Sequence, residues 1–193
     1  MSASPFRTCR ARMLRTAWLA ILVIAPTLHA ARRPHDYHAT DPKGAVTYSN
    51  GKPMHPHDYY ATDPESRKLL KMVEEYHLKQ GTRKLGHGRY HYAWQDFDFI
   101  LRYFPNDPKA LLLMGELALK TGKPQEAVRY FQTAIRLFPD HAATYTAYGV
   151  FLHRAGKLRQ AIDQYREALK LDPTSAETHY DLGLAYLDIH DYK

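Results

Sequence analysis

Four histidines crowd one early stretch of the chain: His35, His38, His55 and His57, accompanied by Asp36, Asp58 and four tyrosines within residues 31–63. Imidazole suits zinc and copper, so metal binding is the first chemistry to weigh. His35 and His38 stand three apart in a run with no regular element to present them, and such a cluster is a compositional hint only. The plainer reading is a segment that lies on the rest of the protein or stays unordered. Carboxylate pairs come next: Glu74 with Glu75, and Asp96 with Asp98. On helices these side chains point to different faces or into water, and solvated surface charge is the expectation. His153, His179 and His190 are scattered singly through helical stretches, where packing or surface roles are commoner than base catalysis. The chain has no H-E-x-x-H, no glycine-rich phosphate loop and no G-x-S-x-G elbow. Neither an enzyme activity nor a cofactor is expected, and no metal ligand is assigned.

Cys9 is the single cysteine in 193 residues, and it lies in an N-terminal segment with the pattern of a secretion signal. Arg7, Arg10, Arg12 and Arg15 precede the apolar run Ala17–Ala25, which is followed by Pro26 and the small residue Ala30. A charged start, a core of about 7–15 apolar residues and a small-residue exit predict a signal peptide over residues 1–30. An uncleaved anchor is the alternative, although the run falls short of the roughly 20 residues a span needs. The expected location is therefore the periplasm or the extracellular space, with membrane contact only through this signal or anchor. A chain beginning at Ala31 has no cysteine, hence no disulfide, thiolate ligand or cysteine nucleophile. The four arginines also account for part of the net charge of +7, leaving +3 for the remainder. That is too mild to argue for nucleic acid as a partner.

Residues 31–63 form an irregular segment in which PHDYHATDP at Pro34–Pro42 returns as PHDYYATDP at Pro56–Pro64, 22 residues on. Between the copies, Asn50-Gly51 signals a turn and Ala45–Tyr48 looks extended. In the second copy Asp63 can cap a helix with Pro64 at its first position, where a missing N–H costs nothing. In the first copy Lys43-Gly44 follows and no helical pattern begins. The duplication can also be read as a linear motif offered twice to a partner.

From Pro64 onward the elements are helical. Leu69, Leu70, Val73, Tyr76 and His77 form one apolar stripe that predicts a helix running to about Lys84. The stretch from Pro108 to Pro139 reads as two amphipathic helices separated by Thr121-Gly122-Lys123-Pro124, and its marks recur. Gly81, Gly115, Gly149 and Gly183 are spaced by 34 residues, as are Ala93, Ala127 and Ala161. Phe97, Phe131 and Tyr165 keep the step, and so do Pro105, Pro139 and Pro173. A fixed period of this size signals a stacked array of helix pairs. Small residues at Gly115, Ala127, Gly149 and Ala161 allow close helix approach. Phe131 and Tyr165 fill the space between pairs, and Pro139 and Pro173 stop the second helices. Helix starts are expected at Asp107-Pro108, at Asp140 and at a capping box, Thr174-Ser175-Ala176-Glu177.

These residues resemble the tetratricopeptide repeat family. The resemblance implies an all-α fold, a right-handed superhelical array of antiparallel helix pairs occupying residues 64–193. Its repeats would be 74–107, 108–141 and 142–175, with a partial one at 176–193, about three and a half in all. It further implies protein or peptide binding in a concave groove lined by first helices. The groove positions would be Lys109, Leu112, Leu113, Glu116, Leu119 and Lys120 in the second repeat. The third would supply Thr146, Val150, His153 and Arg154, and the fourth Tyr180, Leu184 and Leu187. Thr82, Glu116, Val150 and Leu184 stand where chaperone-binding members carry an asparagine, so that family's carboxylate clamp is missing. Such a groove suits an apolar or amphipathic segment.

The expectation is an exported interaction adaptor or scaffold. Metal handling by the His-rich segment and self-assembly of the array are the alternatives. The last helix carries Tyr180, Leu182, Leu184, Tyr186, Leu187, Ile189 and Tyr192, apolar nearly all round. Self-association through this helix is one explanation, and a natural chain continuing past Lys193 is the other.

Overall fold

The computed structural model describes residues 46–47, 53–54 and 55–191, all within one unit, Asp36–Lys193. The signal-peptide reading, the first PHDYHATDP copy and the Asn50-Gly51 turn lie outside the described residues. Two short strands, β1 (Val46–Thr47) and β2 (Pro53–Met54), pair antiparallel with Val46 opposite Met54. Among the described residues every regular element from Pro64 onward is a helix, in keeping with the all-α expectation.

The first helical rod comprises α1 (Pro64–Val73), a π-helical stretch (Glu74–Leu78) and α2 (Lys79–Gly86), continuous from one to the next. It starts because Asp63 accepts the Ser66 N–H at 2.8 Å, with Pro64 in the first turn. The glycines of Leu85-Gly86-His87-Gly88 end it slightly later than the pattern suggested. Then follow α3 (Tyr90–Tyr103), α4 (Pro108–Lys120), α5 (Pro124–Leu137), α6 (Ala142–Arg154), α7 (Leu158–Leu171) and α8 (Ala176–Asp191).

Within each helix pair the turn is made by a glycine in the left-handed region: Gly88 (φ 70°), Gly122 (φ 70°) and Gly156 (φ 73°). The following N–H reaches back to close the first helix, as Lys123 N–H donates to Ala118 O at 2.8 Å. These three glycines keep the 34-residue step too, a signal the sequence reading passed over in favour of the glycines inside the helices.

Those interior glycines are places of close approach. A Cβ on Gly149 would lie 2.5 Å from the Tyr165 ring of the same helix pair, and one on Gly81 would lie 2.6 Å from Phe97. Gly115 instead faces forward, since its Cβ would meet Phe151 of α6 at 3.0 Å. Phe131 stacks on Tyr148 and Phe151 with centroids 4.9 and 5.2 Å apart, so its ring is shared between α5 and the next pair. Ala93, Ala127 and Ala161 are fully buried in the same core cluster as these aromatics. Pro139 and Pro173 follow the ends of α5 and α7, both exposed.

Three expectations are corrected. Asp140 does not cap α6; the residue in that position is His141, without a side-chain bond to the helix. At α8 the cap is Ser175, whose Oγ accepts the Thr178 N–H at 3.3 Å, while Asp172 takes Thr174. Asp96 and Asp98 are not solvated surface charges, being 7 % and 8 % exposed. Asp96 is held by Lys84 Nζ at 2.6 Å and His77 Nδ1 at 3.1 Å. Asp98 takes Arg102 at 2.9 Å and accepts the buried Tyr130 hydroxyl at 2.7 Å. Two residues apart in one turn of α3, these aspartates point to opposite sides, toward the first rod and α5 respectively, and each carboxylate is buried with its own partners.

Candidate peptide-binding face

The first helices α4, α6 and α8 pack in succession, and each turns one side away from the core. On α4 the inward side chains are Leu111, Met114, Leu117 and Ala118, all fully buried. The helical period then places Lys109, Leu112 and Lys120 in solvent, with Leu113, Glu116 and Leu119 half-buried beside them. Leu113 and Leu119 also touch the core cluster, so they serve both surfaces. Lys120 Nζ lies 3.6 Å from Glu116 Oε1, one turn apart on the exposed side.

On α6, Val150 is half-buried and packed against the core. Thr146 Oγ1 bonds the Ala142 carbonyl and sits 2.8 Å from Thr178 Oγ1, tying α6 to α8. His153 Nε2 lies 2.6 Å from Asp188 Oδ2, a second tie between those helices. Arg154 is exposed. On α8, Tyr180 is 68 % and Leu187 63 % exposed, while Leu184 is half-buried. Gly183 has open space where a Cβ would go.

Asp188 was missed from sequence. It stands 35 residues after His153, one repeat plus one position, where neighbouring first helices bring side chains together. These two residues, with Arg154, Leu158, Arg159 and Ile189, line a cleft of about 510 Å³ at the ends of α6 and α8. Two guanidinium groups at this cleft favour an acidic group there. Nearby, burial pushes the Asp181 carboxyl up from its ordinary range and Glu177 adds to it, while His153 and Arg154 oppose the shift.

The chemistry-bearing histidines of the early segment separate. His57 is engaged with Ser66 Oγ at 2.9 Å, and His55 is exposed. Among the described residues no group of three or more His, Cys, Asp or Glu is placed to hold a metal ion.

A family model described as Tetratricopeptide repeat matches residues 78–142 and 112–176, and a second of the same description matches residues 164–193. Together they span residues 78–193, more than half of the chain. No curated protein matches. Similar solved structures include the first TPR domain of human RPAP3, at 18 % identity and TM-score 0.48, covering 63 % of this chain and 93 % of that one. The Sgt2 TPR domain from Aspergillus fumigatus has 17 % identity and TM-score 0.48, covering 70 % and 86 %. A thermophilic TPR protein of Thermus thermophilus has 27 % identity and TM-score 0.46, covering 61 % and 66 %.

Proposed function

Because this chain belongs to the tetratricopeptide repeat family, we propose that it is an exported interaction adaptor holding a peptide or protein segment on the α4–α6–α8 face. The carrying observation is the set of apolar side chains left in water there. Leu112, Tyr180 and Leu187 are 37 %, 68 % and 63 % exposed on helices whose other sides are buried. Covering them gains about 25 cal/mol per Å² of apolar surface, which suits an apolar or amphipathic segment. Lys109, Lys120 and Arg154 edge the face with positive charge, and the Arg154–Arg159 cleft accepts an acidic residue of that segment. Export rests on the residues 1–30 pattern; among the described residues no helix is long and apolar enough to cross a membrane.

Selection of a displayed peptide library on the chain starting at Ala31 tests this reading. Leu112→Ser with Leu187→Ser should weaken the selected peptides at least tenfold while leaving helix content and melting nearly unchanged. Leu119 and Val150 are poorer probes, since both also pack on the core. Selected peptides that bind the double variant unchanged would remove this face from consideration.

A further inference from the structure

The second copy of the duplicated motif is docked on the array, far from the α4–α6–α8 face in sequence, and every described polar contact it makes there is of a recognisable kind. The main-chain N–H of His57 donates to Tyr103 O at 2.8 Å, and that of Tyr59 donates to Asn106 Oδ1 at 2.9 Å. Asn106 Nδ2 donates to Asp58 Oδ1 at 2.7 Å, and His141 Nε2 lies 3.0 Å from Asp58 Oδ2. Asn106 is fully buried, and its amide reads one main-chain donor and one carboxylate at once. The His57 ring lies against Phe104 with centroids 5.6 Å apart, and Tyr59 packs on the core cluster.

All of these contacts fall on His57, Asp58 and Tyr59, which are identical in the first copy as His35, Asp36 and Tyr37. The first difference between the copies is Tyr60 against His38. Tyr60 is exposed and touches the array by stacking on His141 at 4.5 Å, a contact an imidazole can also make. Among the described residues the pair Asn106 and His141 does not recur at the repeat step: one period on stand Asp140 and Ser175, and one period back Met72 and Asp107. Pairing of β1 with β2 reverses the chain between the copies, with Pro42 four residues before Val46 and Pro56 two after Met54. With the hairpin intact, the 17 residues outside it, 38–45 and 55–63, still reach up to about 55 Å when extended, far more than the four residues that now separate Tyr59 from Pro64.

We propose that Tyr103 O, Asn106 and His141 form a peptide-recognition site for the sequence His-Asp-Tyr, and that the first copy exchanges with the second at this site within one chain. Docking of Asp36 and Tyr37 releases Asp58 and Tyr59 and leaves the cap at Asp63 in place.

Hydrogen exchange in the full chain, followed by NMR, tests the proposal through the Asn106 side-chain amide and the Tyr59 main-chain amide. In Asp58→Ala, the Tyr59 amide should lose protection at least tenfold while the Asn106 side chain keeps it, because Asp36 takes over. Asp36→Ala with Asp58→Ala should strip both, and adding the peptide PHDYHATDP should restore Asn106 protection where PHAYHATDP does not. Sedimentation should show Asp58→Ala as a monomer. Loss of Asn106 protection in Asp58→Ala as complete as in the double variant overturns the exchange, as does failure of the peptide to restore it. Dimerisation of Asp58→Ala overturns the single-chain form. If Asp58→Ala fails to fold, excess PHDYHATDP added to the unaltered chain must unprotect the Tyr59 amide, and no change there overturns the proposal.

Discussion

Asp107 caps α4 from a fully buried position, accepting the Lys109 and Ala110 N–H groups at 2.9 and 3.0 Å through one oxygen. Its other oxygen, and Glu74 Oε1, are buried with no hydrogen-bond partner among the described residues. Burial above all, with the Glu74 charge adding to it, pushes the Asp107 carboxyl from 3.8 to about 6. The folded protein therefore holds this proton more tightly than the unfolded chain. The associated stability is complete below about pH 4 and lost as pH rises to about 6, a loss of about 2–3 kcal/mol. Asparagine caps as well as aspartate and would place an N–H where the unpartnered oxygen now sits. Asp107→Asn should stabilise the protein by up to about 2–3 kcal/mol at neutral pH and by nothing near pH 3.5, read as urea midpoints. Equal effects at both pH values would show that charge is not the cause. Tyr130→Phe should cost about 1–3 kcal/mol, because Asp98 Oδ1 loses its 2.7 Å hydroxyl donor inside the core. A chemical-denaturation curve indistinguishable from that of the parent would contradict this.

At the scale of elements, glycines at one repeat position separate into different roles. Gly149→Ala drives a methyl to 2.5 Å from Tyr165, a buried ring that cannot swing away, and should cost about 1–3 kcal/mol. Gly183→Ala meets nothing within 4 Å in the interior of α8 and should gain about 1 kcal/mol from helix propensity. Melting temperatures moving in opposite directions check the pair; a shared direction would mean the repeat position, not its surroundings, sets the effect. The helix pairs themselves were legible because period, apolar stripe and Pro/Gly punctuation agree. The caps at Asp63 and Asp107 were legible as well, since Asp-Pro states both the cap and the first turn. The cap of α8 was not: Thr174 and Ser175 are adjacent hydroxyls, and chain geometry chooses between them.

For the whole molecule, the export proposal predicts that protein recovered from an exporting cell begins at Ala31 by intact mass. Full-length chain accumulating in the cytoplasm would end it.

The sequence alone determined the all-α array and the place of its helix pairs, because a 34-residue period repeats the same local chemistry and needs no long-range information. A groove along one side of α4, α6 and α8 came only from the resemblance to the repeat family, since α8 by itself reads as apolar nearly all round. Only the tertiary structure decided which residues on that side are shared with the core, as with Leu119 and Val150. It alone showed Asp96 and Asp98 to be buried, since their partners Lys84 and Tyr130 lie 12 and 32 residues away. The docking of Asp58 on Asn106 and His141 spans 48 and 83 residues. Such contacts depend on how the repeats stack, and periodicity within each repeat carries no trace of them.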